Sequence, residues 1–242
     1  MIKSATGLLL AGFFTSHALA DEASLRKVIE TTYPKMRVES IVKTPYSGLY
    51  EVYMNGQIIY TDDKLNFLIA EGRLVDTKTK RDITSERMEE LTKIDFSTLP
   101  LEQAIKVVKG NGSRKLAVFS DPDCPFCKRL EQKELVNITD VTIYTFLLPL
   151  EQLHPDAANK AKAIWCASDR AKAWQDWAIN NQLAKNDAAC EQPLAKVADL
   201  AKKLGVTSTP TIFFADGRRM LGAYPAKEIE KGMNASPSAK KQ

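Results

Sequence analysis

The chain has 242 residues, and 34 basic residues against 30 acidic ones give it a formal net charge of +4. The two signs are mixed along the sequence, which argues against the concentrated basic surface of a nucleic-acid-binding protein. No apolar run is long enough to cross a bilayer, so we expect no membrane insertion. The mixed charges likewise lead us to expect no nucleic-acid partner. The length favours two modest domains over one.

The first 20 residues have the pattern of a secretory signal peptide. Lys3 provides the positive start, residues 7–14 form a short apolar core, and Ala18-Leu19-Ala20 provides the small residues of a cleavage site. We therefore expect the mature chain to begin at Asp21. All four cysteines lie after this point, and an even number in an exported chain favours two disulfides.

Residues 21–82 are predicted to form a small α+β domain without cysteine. An amphipathic helix is expected over 23–33. Alternating apolar stretches at 49–54 and 57–61 flank an Asn-Gly dipeptide, which is a strong signal for a two-residue hairpin. The stretch 65–76 is rich in apolar residues and predicts one or two further strands.

Such a small domain buries little apolar surface when it folds alone. An exposed edge strand of its antiparallel sheet is a natural surface for pairing with a second copy. We therefore predict that residues 21–82 form a dimerisation domain.

A mostly polar helix over 83–96 is predicted to link this domain to a second one over 97–242. In the second domain, strand and helix patterns alternate in a way that is typical of an α/β thioredoxin-like fold with a helical insertion. The predicted strands are 115–120, 141–148, 211–214 and 219–222, and the predicted helices after the first are 157–167, 170–182, 194–204 and 226–234.

The motif Cys124-Pro125-Phe126-Cys127 lies between the first of these strands and a helix-like run. A cysteine at the exposed start of a helix faces unpaired backbone N–H groups and the positive end of the dipole, which favour the reactive thiolate. The spacing lets the two sulfurs cycle between dithiol and disulfide. We therefore expect a redox-active Cys124–Cys127 pair that needs no other cofactor.

Two other uses of this motif fit the sequence less well. A zinc site needs four ligands, whereas Cys166 and Cys190 form no second motif and His154 is expected in a surface loop. A purely structural disulfide across so short a ring would constrain little chain. We therefore expect no metal site.

Far downstream, Thr209-Pro210 precedes the strand-like stretch 211–214. A C-x-x-C at a strand–helix junction, followed by a Thr-Pro before a later strand, is typical of a thioredoxin redox site. We predict that Pro210 is cis and packs against the active-site sulfurs. It would then present the Thr209 backbone to an extended substrate segment.

The chain resembles the DsbC family, the periplasmic protein disulfide isomerases of Gram-negative bacteria. The residues that carry the resemblance are 60–63, 118–124, 163–169 and 204–210. The resemblance implies a periplasmic, V-shaped homodimer joined by its N-terminal domains, with both redox sites facing a shared cleft. It also implies misfolded proteins with non-native disulfides as substrates and the membrane reductase DsbD as electron donor.

The dipeptide Pro125-Phe126 departs from the Gly-Tyr that is usual in DsbC and resembles the sister DsbG family. Cys166 and Cys190 match the second, structural disulfide of DsbC, which is typically missing from DsbG. The sequence around Cys166 covers more residues than the dipeptide and favours DsbC. A second redox pair is the alternative use of Cys166 and Cys190. The tryptophans Trp165, Trp174 and Trp177 are expected in the core.

In the expected reaction, Cys124 attacks a non-native disulfide and Cys127 resolves a stalled mixed disulfide. The predicted substrate contacts are Thr209, Pro210, Pro125 and Phe126. Two alternative functions remain open, namely a DsbG-like reductase that protects single cysteines from oxidation and a thiol-independent holdase chaperone. A dithiol oxidase is disfavoured because inward-facing sites of a dimer are shielded from oxidising partners.

Overall fold

The structure is a computed structural model that describes residues 16–235, with side chains from residue 21 onward. The chain divides into two compact units, one up to residue 88 and one from residue 89. The predicted signal peptide lies outside the described residues, except for the helical backbone of residues 16–20. Across the described residues, no helix combines the length and apolar composition needed to cross a membrane.

The first unit is a helix packed on a small antiparallel sheet. Leu25 and Ile29, one helical turn apart, have no exposed surface and join Val52 in one apolar core. The strands lie in the order β1-β2-β3, and the predicted hairpin joins the last two. The elements are α1 (Ser16–Thr32), β1 (Val38–Lys43), β2 (Tyr50–Met54) and β3 (Gln57–Thr61).

The prediction of one or two strands over 65–76 is wrong. This segment makes isolated bridges, such as that between Tyr60 and Ile69. Leu65 and Glu71 have φ angles of 58° and 57°, which turn the chain out of the extended conformation. Strand propensity depends on a half-buried pleated surface, and several apolar side chains of this segment are exposed.

Helix α2 (Ile83–Leu91) occupies the predicted linker and ends before residue 96. Its first turns are fixed to the first unit by polar contacts. The hydroxyl groups of Thr84 and Tyr60 are 2.6 Å apart, and Arg87 Nε donates to Glu51 Oε1 at 3.1 Å. The N-terminal half of the helix is therefore part of the first unit.

The second unit is built on a five-stranded sheet in the order β4-β6-β5-β7-β8. Strands β5 and β6 are parallel, and the other neighbours are antiparallel. The sequence did not predict β4, a short edge strand of three apolar residues and two lysines. The elements are β4 (Ile105–Lys109), β5 (Arg114–Ser120), α3 (Pro125–Arg129), β6 (Val141–Leu147), α4 (Ala157–Trp165), α5 (Arg170–Asn180), α6 (Leu194–Lys203), β7 (Thr211–Phe214), β8 (Arg219–Leu221) and α7 (Ala226–Asn234).

Alternation along the central strand β5 gives the sheet two apolar faces. Leu116 and Val118 belong to one core cluster, and Phe119 belongs to the other. Helix α3 continues as a π-helical segment over Leu130–Glu134, and its Leu130 packs in the cluster of Leu116 and Val118. This packing fixes the helix that follows Cys124 against one face of the sheet.

The helical insertion contains a disulfide between Cys166 and Cys190, which are 24 residues apart. Helix α5 lies within this loop. Trp165 and Trp174 are buried as predicted. Trp177 is half-buried and packs against the same core cluster, so it lies at the edge of the core.

We expect the double variant Cys166→Ala, Cys190→Ala to unfold more easily than the native protein. Closing a loop of this length lowers the entropy of the unfolded chain, which stabilises the fold by roughly 3 kcal/mol. Urea unfolding followed by circular dichroism measures the difference. An unchanged midpoint would show that the cross-link does not limit unfolding of this unit.

Candidate active site

The two motif cysteines lie at the start of α3. Cys124 directly precedes the helix with an extended backbone (φ −66°, ψ 121°), and Pro125 takes the first helical position, where no N–H is needed. Cys124 is 5% exposed and Cys127 is 0% exposed, and both are free thiols. Cys127 is the more buried of the two, and Cys124 is itself more enclosed than its place at the start of a helix led us to expect.

The structure brings Thr209 to Cys124 across 85 residues of sequence, with Cys124 Sγ 3.5 Å from the Thr209 carbonyl oxygen. The Thr209–Pro210 bond is cis, and Pro210 is buried. Phe126 stands 58% exposed beside the cysteines. The site thus combines a shielded sulfur, a neighbouring backbone carbonyl and an accessible aromatic ring.

The two thiols have pKa values that are shifted in opposite directions. The hydrogen bond from the Cys127 thiol lowers the pKa of Cys124 from 9.0 to about 5, and backbone groups at Cys127 and Phe126 add to this effect against the opposing effect of burial. Burial and the neighbouring Cys124 raise the pKa of Cys127. At neutral pH, Cys124 is therefore a thiolate while Cys127 holds its proton.

Asp121 places a fully buried carboxylate next to the site. Its Oδ1 accepts from the Asp123 N–H at 2.7 Å, and its Oδ2 accepts from the Leu150 N–H at 2.7 Å. His154 Nδ1 lies 3.1 Å from the same Oδ2, so His154 contacts a buried group and is not simply a surface-loop residue. The backbone N–H of Asp121 donates to Cys127 Sγ at 3.4 Å.

The second carboxylate near the motif is compensated by a lysine. Lys160 Nζ lies 2.8 and 2.7 Å from the two carboxylate oxygens of Asp123, and this hydrogen bonding raises the pKa of Lys160. The negative charge directly before Cys124 is therefore paired. Lys160 lies 37 residues from Asp123, and nothing in the sequence connects the two.

Trp177 links the helical insertion to the loop before Cys124. Its Nε1 donates to the Pro122 carbonyl at 2.7 Å. The Lys128 ammonium lies 4.0 Å from the centre of the Trp177 ring and donates to Asn181 Oδ1 at 2.7 Å. In the sequence, Trp177 follows Trp174 by three residues, a spacing that places both on the same side of a helix. That spacing does not predict a contact with the active-site loop.

Among residues 16–235, no group of three or more His, Cys, Asp or Glu side chains is arranged to hold a metal ion. The paired thiols are the chemically distinctive groups.

Two family profiles match the chain. The profile described as a thioredoxin-like domain matches residues 101–236, and the profile described as the N-terminal domain of a disulfide bond isomerase protein matches residues 16–85. The two matches correspond to the two compact units.

Individual proteins give the same result. The chain is 45% identical over 193 residues to the probable thiol:disulfide interchange protein DsbC of Bordetella parapertussis, covering 80% of this chain and 67% of that protein. It is 29% identical over 226 residues to the thiol:disulfide interchange protein DsbC of Escherichia coli, covering 92% of this chain and 91% of that protein.

A solved structure of a disulfide interchange protein from Neisseria gonorrhoeae matches with 47% identity and a TM-score of 0.54. The match covers 56% of this chain and 96% of that structure. Together with the redox geometry, these similarities show that the chain belongs to the DsbC family of thiol:disulfide interchange proteins and is a protein disulfide isomerase.

Proposed function

We propose that this isomerase uses Cys124 as its nucleophile and Cys127 as its resolving thiol. The observation that carries this proposal is the position of Cys124 at the start of α3, 3.5 Å from the Thr209 carbonyl oxygen, with Cys127 fully buried behind it. Hydrogen bonding there lowers the pKa of Cys124 to about 5, and burial raises the pKa of Cys127. The thiolate attacks a substrate disulfide, forms a mixed disulfide and releases a substrate thiolate. Attack by that thiolate on another sulfur reshuffles the substrate and frees Cys124.

A mixed disulfide that does not rearrange needs a second route. Cys127 attacks Cys124, the substrate leaves reduced, and a Cys124–Cys127 disulfide forms. We propose that the membrane reductase DsbD returns this disulfide to the dithiol. No cofactor other than the cysteine pair takes part in this cycle.

We propose that the substrate segment lies against Thr209, Pro210, Pro125 and Phe126. The position of the Thr209 carbonyl beside Cys124 supports this, because an extended segment that reaches the sulfur also reaches backbone hydrogen-bonding groups. The exposed Phe126 ring offers apolar surface to the unfolded chains that carry wrong disulfides.

We propose that the protein acts as a periplasmic homodimer joined through its N-terminal unit. Three consecutive apolar residues there, Phe67, Leu68 and Ile69, are 44%, 40% and 41% exposed. Ile69 also bridges to Tyr60, so the run lies along the edge of β3. Apolar side chains beside a strand edge favour association with a second copy.

A second candidate function is DsbG-like reduction of oxidised single cysteines. The dipeptide Pro125-Phe126 favours it, because the residues between the cysteines differ from the Gly-Tyr of DsbC. Thiol-independent holdase activity remains the alternative that does not depend on either cysteine.

Reactivation of a scrambled multi-disulfide protein in a glutathione buffer tests the proposal. We expect the chain from Asp21 to restore activity and its Cys124→Ser variant to restore none, because the variant lacks the attacking thiolate. Sedimentation of the same samples measures their oligomeric state.

Three results would contradict the isomerase mechanism in different ways. A dimeric, reducible protein that fails to reactivate the substrate points to DsbG-like reduction of sulfenic acids. Equal suppression of substrate aggregation by both proteins, without reactivation, points to holdase activity. Full reactivation by the Cys124→Ser variant rules out Cys124 as the nucleophile.

We also expect the reactivity of the reduced protein to persist into acidic solution. Because the pKa of Cys124 is lowered to about 5, its thiolate absorbance should stay constant from neutral pH downward and fall as pH drops through about 5. Subtracting the absorbance of the Cys124→Ser variant isolates this sulfur. A midpoint near the ordinary value of 9.0 would contradict the hydrogen-bonded geometry.

A further inference from the structure

Ser120 is the last residue of β5 and lies directly before the loop that leads to Cys124. Alternation along the strand places it on the same side as Leu116 and Val118, and Leu130 of the active-site helix packs in the cluster of those two residues. Its side chain is buried, and its hydroxyl has no hydrogen-bond partner among the residues that the structure describes. Burying a hydroxyl without a partner costs stability, so its presence calls for an explanation, such as a hydrogen bond in another state of the protein.

The sulfur of Cys127 contacts the backbone of the residue that follows Ser120. The backbone N–H of Asp121, the residue after Ser120, donates to Cys127 Sγ at 3.4 Å. Cys127 has no exposed surface, so water does not solvate its thiolate. The Ser120 hydroxyl favours the charged sulfur and lowers the pKa of Cys127, against the larger effects of burial and Cys124.

We propose that the Ser120 hydroxyl donates a hydrogen bond to the Cys127 thiolate in the resolving step and thereby speeds release of the mixed disulfide. The proposal rests on the proposed function, which assigns the resolving role to Cys127. It adds a side-chain donor to the backbone N–H of Asp121 already directed at the sulfur.

The step is balanced without another reactant. As Cys127 loses its proton, its sulfur attacks Cys124 Sγ while the bond from Cys124 to the substrate sulfur breaks. A Cys124–Cys127 disulfide forms, and the departing substrate thiolate takes up a proton. Over the whole cycle, the two protein thiols are oxidised and the substrate disulfide is reduced.

The hydroxyl acts mainly on the charged state. A hydrogen bond to a thiolate is stronger than one to a neutral thiol, so the interaction grows as Cys127 loses its proton. An already oriented donor in a site without water stabilises the developing charge without reorganisation. Binding that strengthens along the reaction speeds it, whereas equal binding of both states does not.

Thr145 provides a matched control. It lies on the neighbouring strand β6, pairs with Val118, and also has a buried hydroxyl without a partner in the described residues. Ser120 pairs with Leu147, so Thr145 lies two residues further from the end of the strand that leads to Cys124. Ser120→Ala and Thr145→Val each remove one buried hydroxyl with little change in volume.

Stopped-flow reaction of the reduced protein with Ellman's reagent separates the two cysteines. The first release of thionitrobenzoate reports attack by Cys124, and the second reports resolution by Cys127. We expect Ser120→Ala to keep the first rate and to slow the second by about tenfold or more, the effect of losing one hydrogen bond to a charged group. Thr145→Val should keep both rates.

The result would overturn the proposal if Ser120→Ala resolved as fast as the native protein, if it slowed both phases equally, or if Thr145→Val slowed the second phase by the same factor. Failure of the proposed function appears separately, as a first phase that persists in Cys124→Ser. Circular dichroism of each variant checks that it is folded.

Discussion

The hydrogen bond from the Cys127 thiol to the Cys124 sulfur is the interaction on which the site depends. It requires Cys127 to keep its proton, and burial ensures this by raising the pKa of Cys127. It also requires Cys124 at the start of the helix, where Pro125 fits the first helical position because no backbone N–H is needed there. The fold supplies both conditions by packing α3 on one face of the central strand. The asymmetry of the two thiols is therefore a consequence of packing.

The carboxylates beside the cysteines support this arrangement. A negative charge beside a sulfur opposes formation of its thiolate unless that charge is compensated. Asp123 is neutralised by Lys160, and Asp121 is occupied by backbone N–H groups and by His154. Their main role in the structure is to hold the loop that carries the motif, and hydrogen bonds at the sulfur dominate its ionisation.

Features that depend on residues close together in the sequence could be predicted. The Cys-x-x-Cys at a strand–helix junction and the Thr-Pro before a strand correctly predicted the helix start at Cys124 and the cis bond before Pro210, because each motif requires its own local geometry. The segment 65–76 was misassigned because apolar residues there form no buried face. The contacts of Trp177 and Lys160 could not be predicted, because helix packing brings them to the loop from distant positions.

The disulfide of the helical insertion has a consequence for electron flow. Its reduction releases the constraint on a closed loop, so folding favours the oxidised form by roughly 3 kcal/mol, which corresponds to about 60 mV in reduction potential. The active pair encloses almost no chain and lacks this term. Loop closure thus favours the oxidised form of Cys166–Cys190 over that of the active pair.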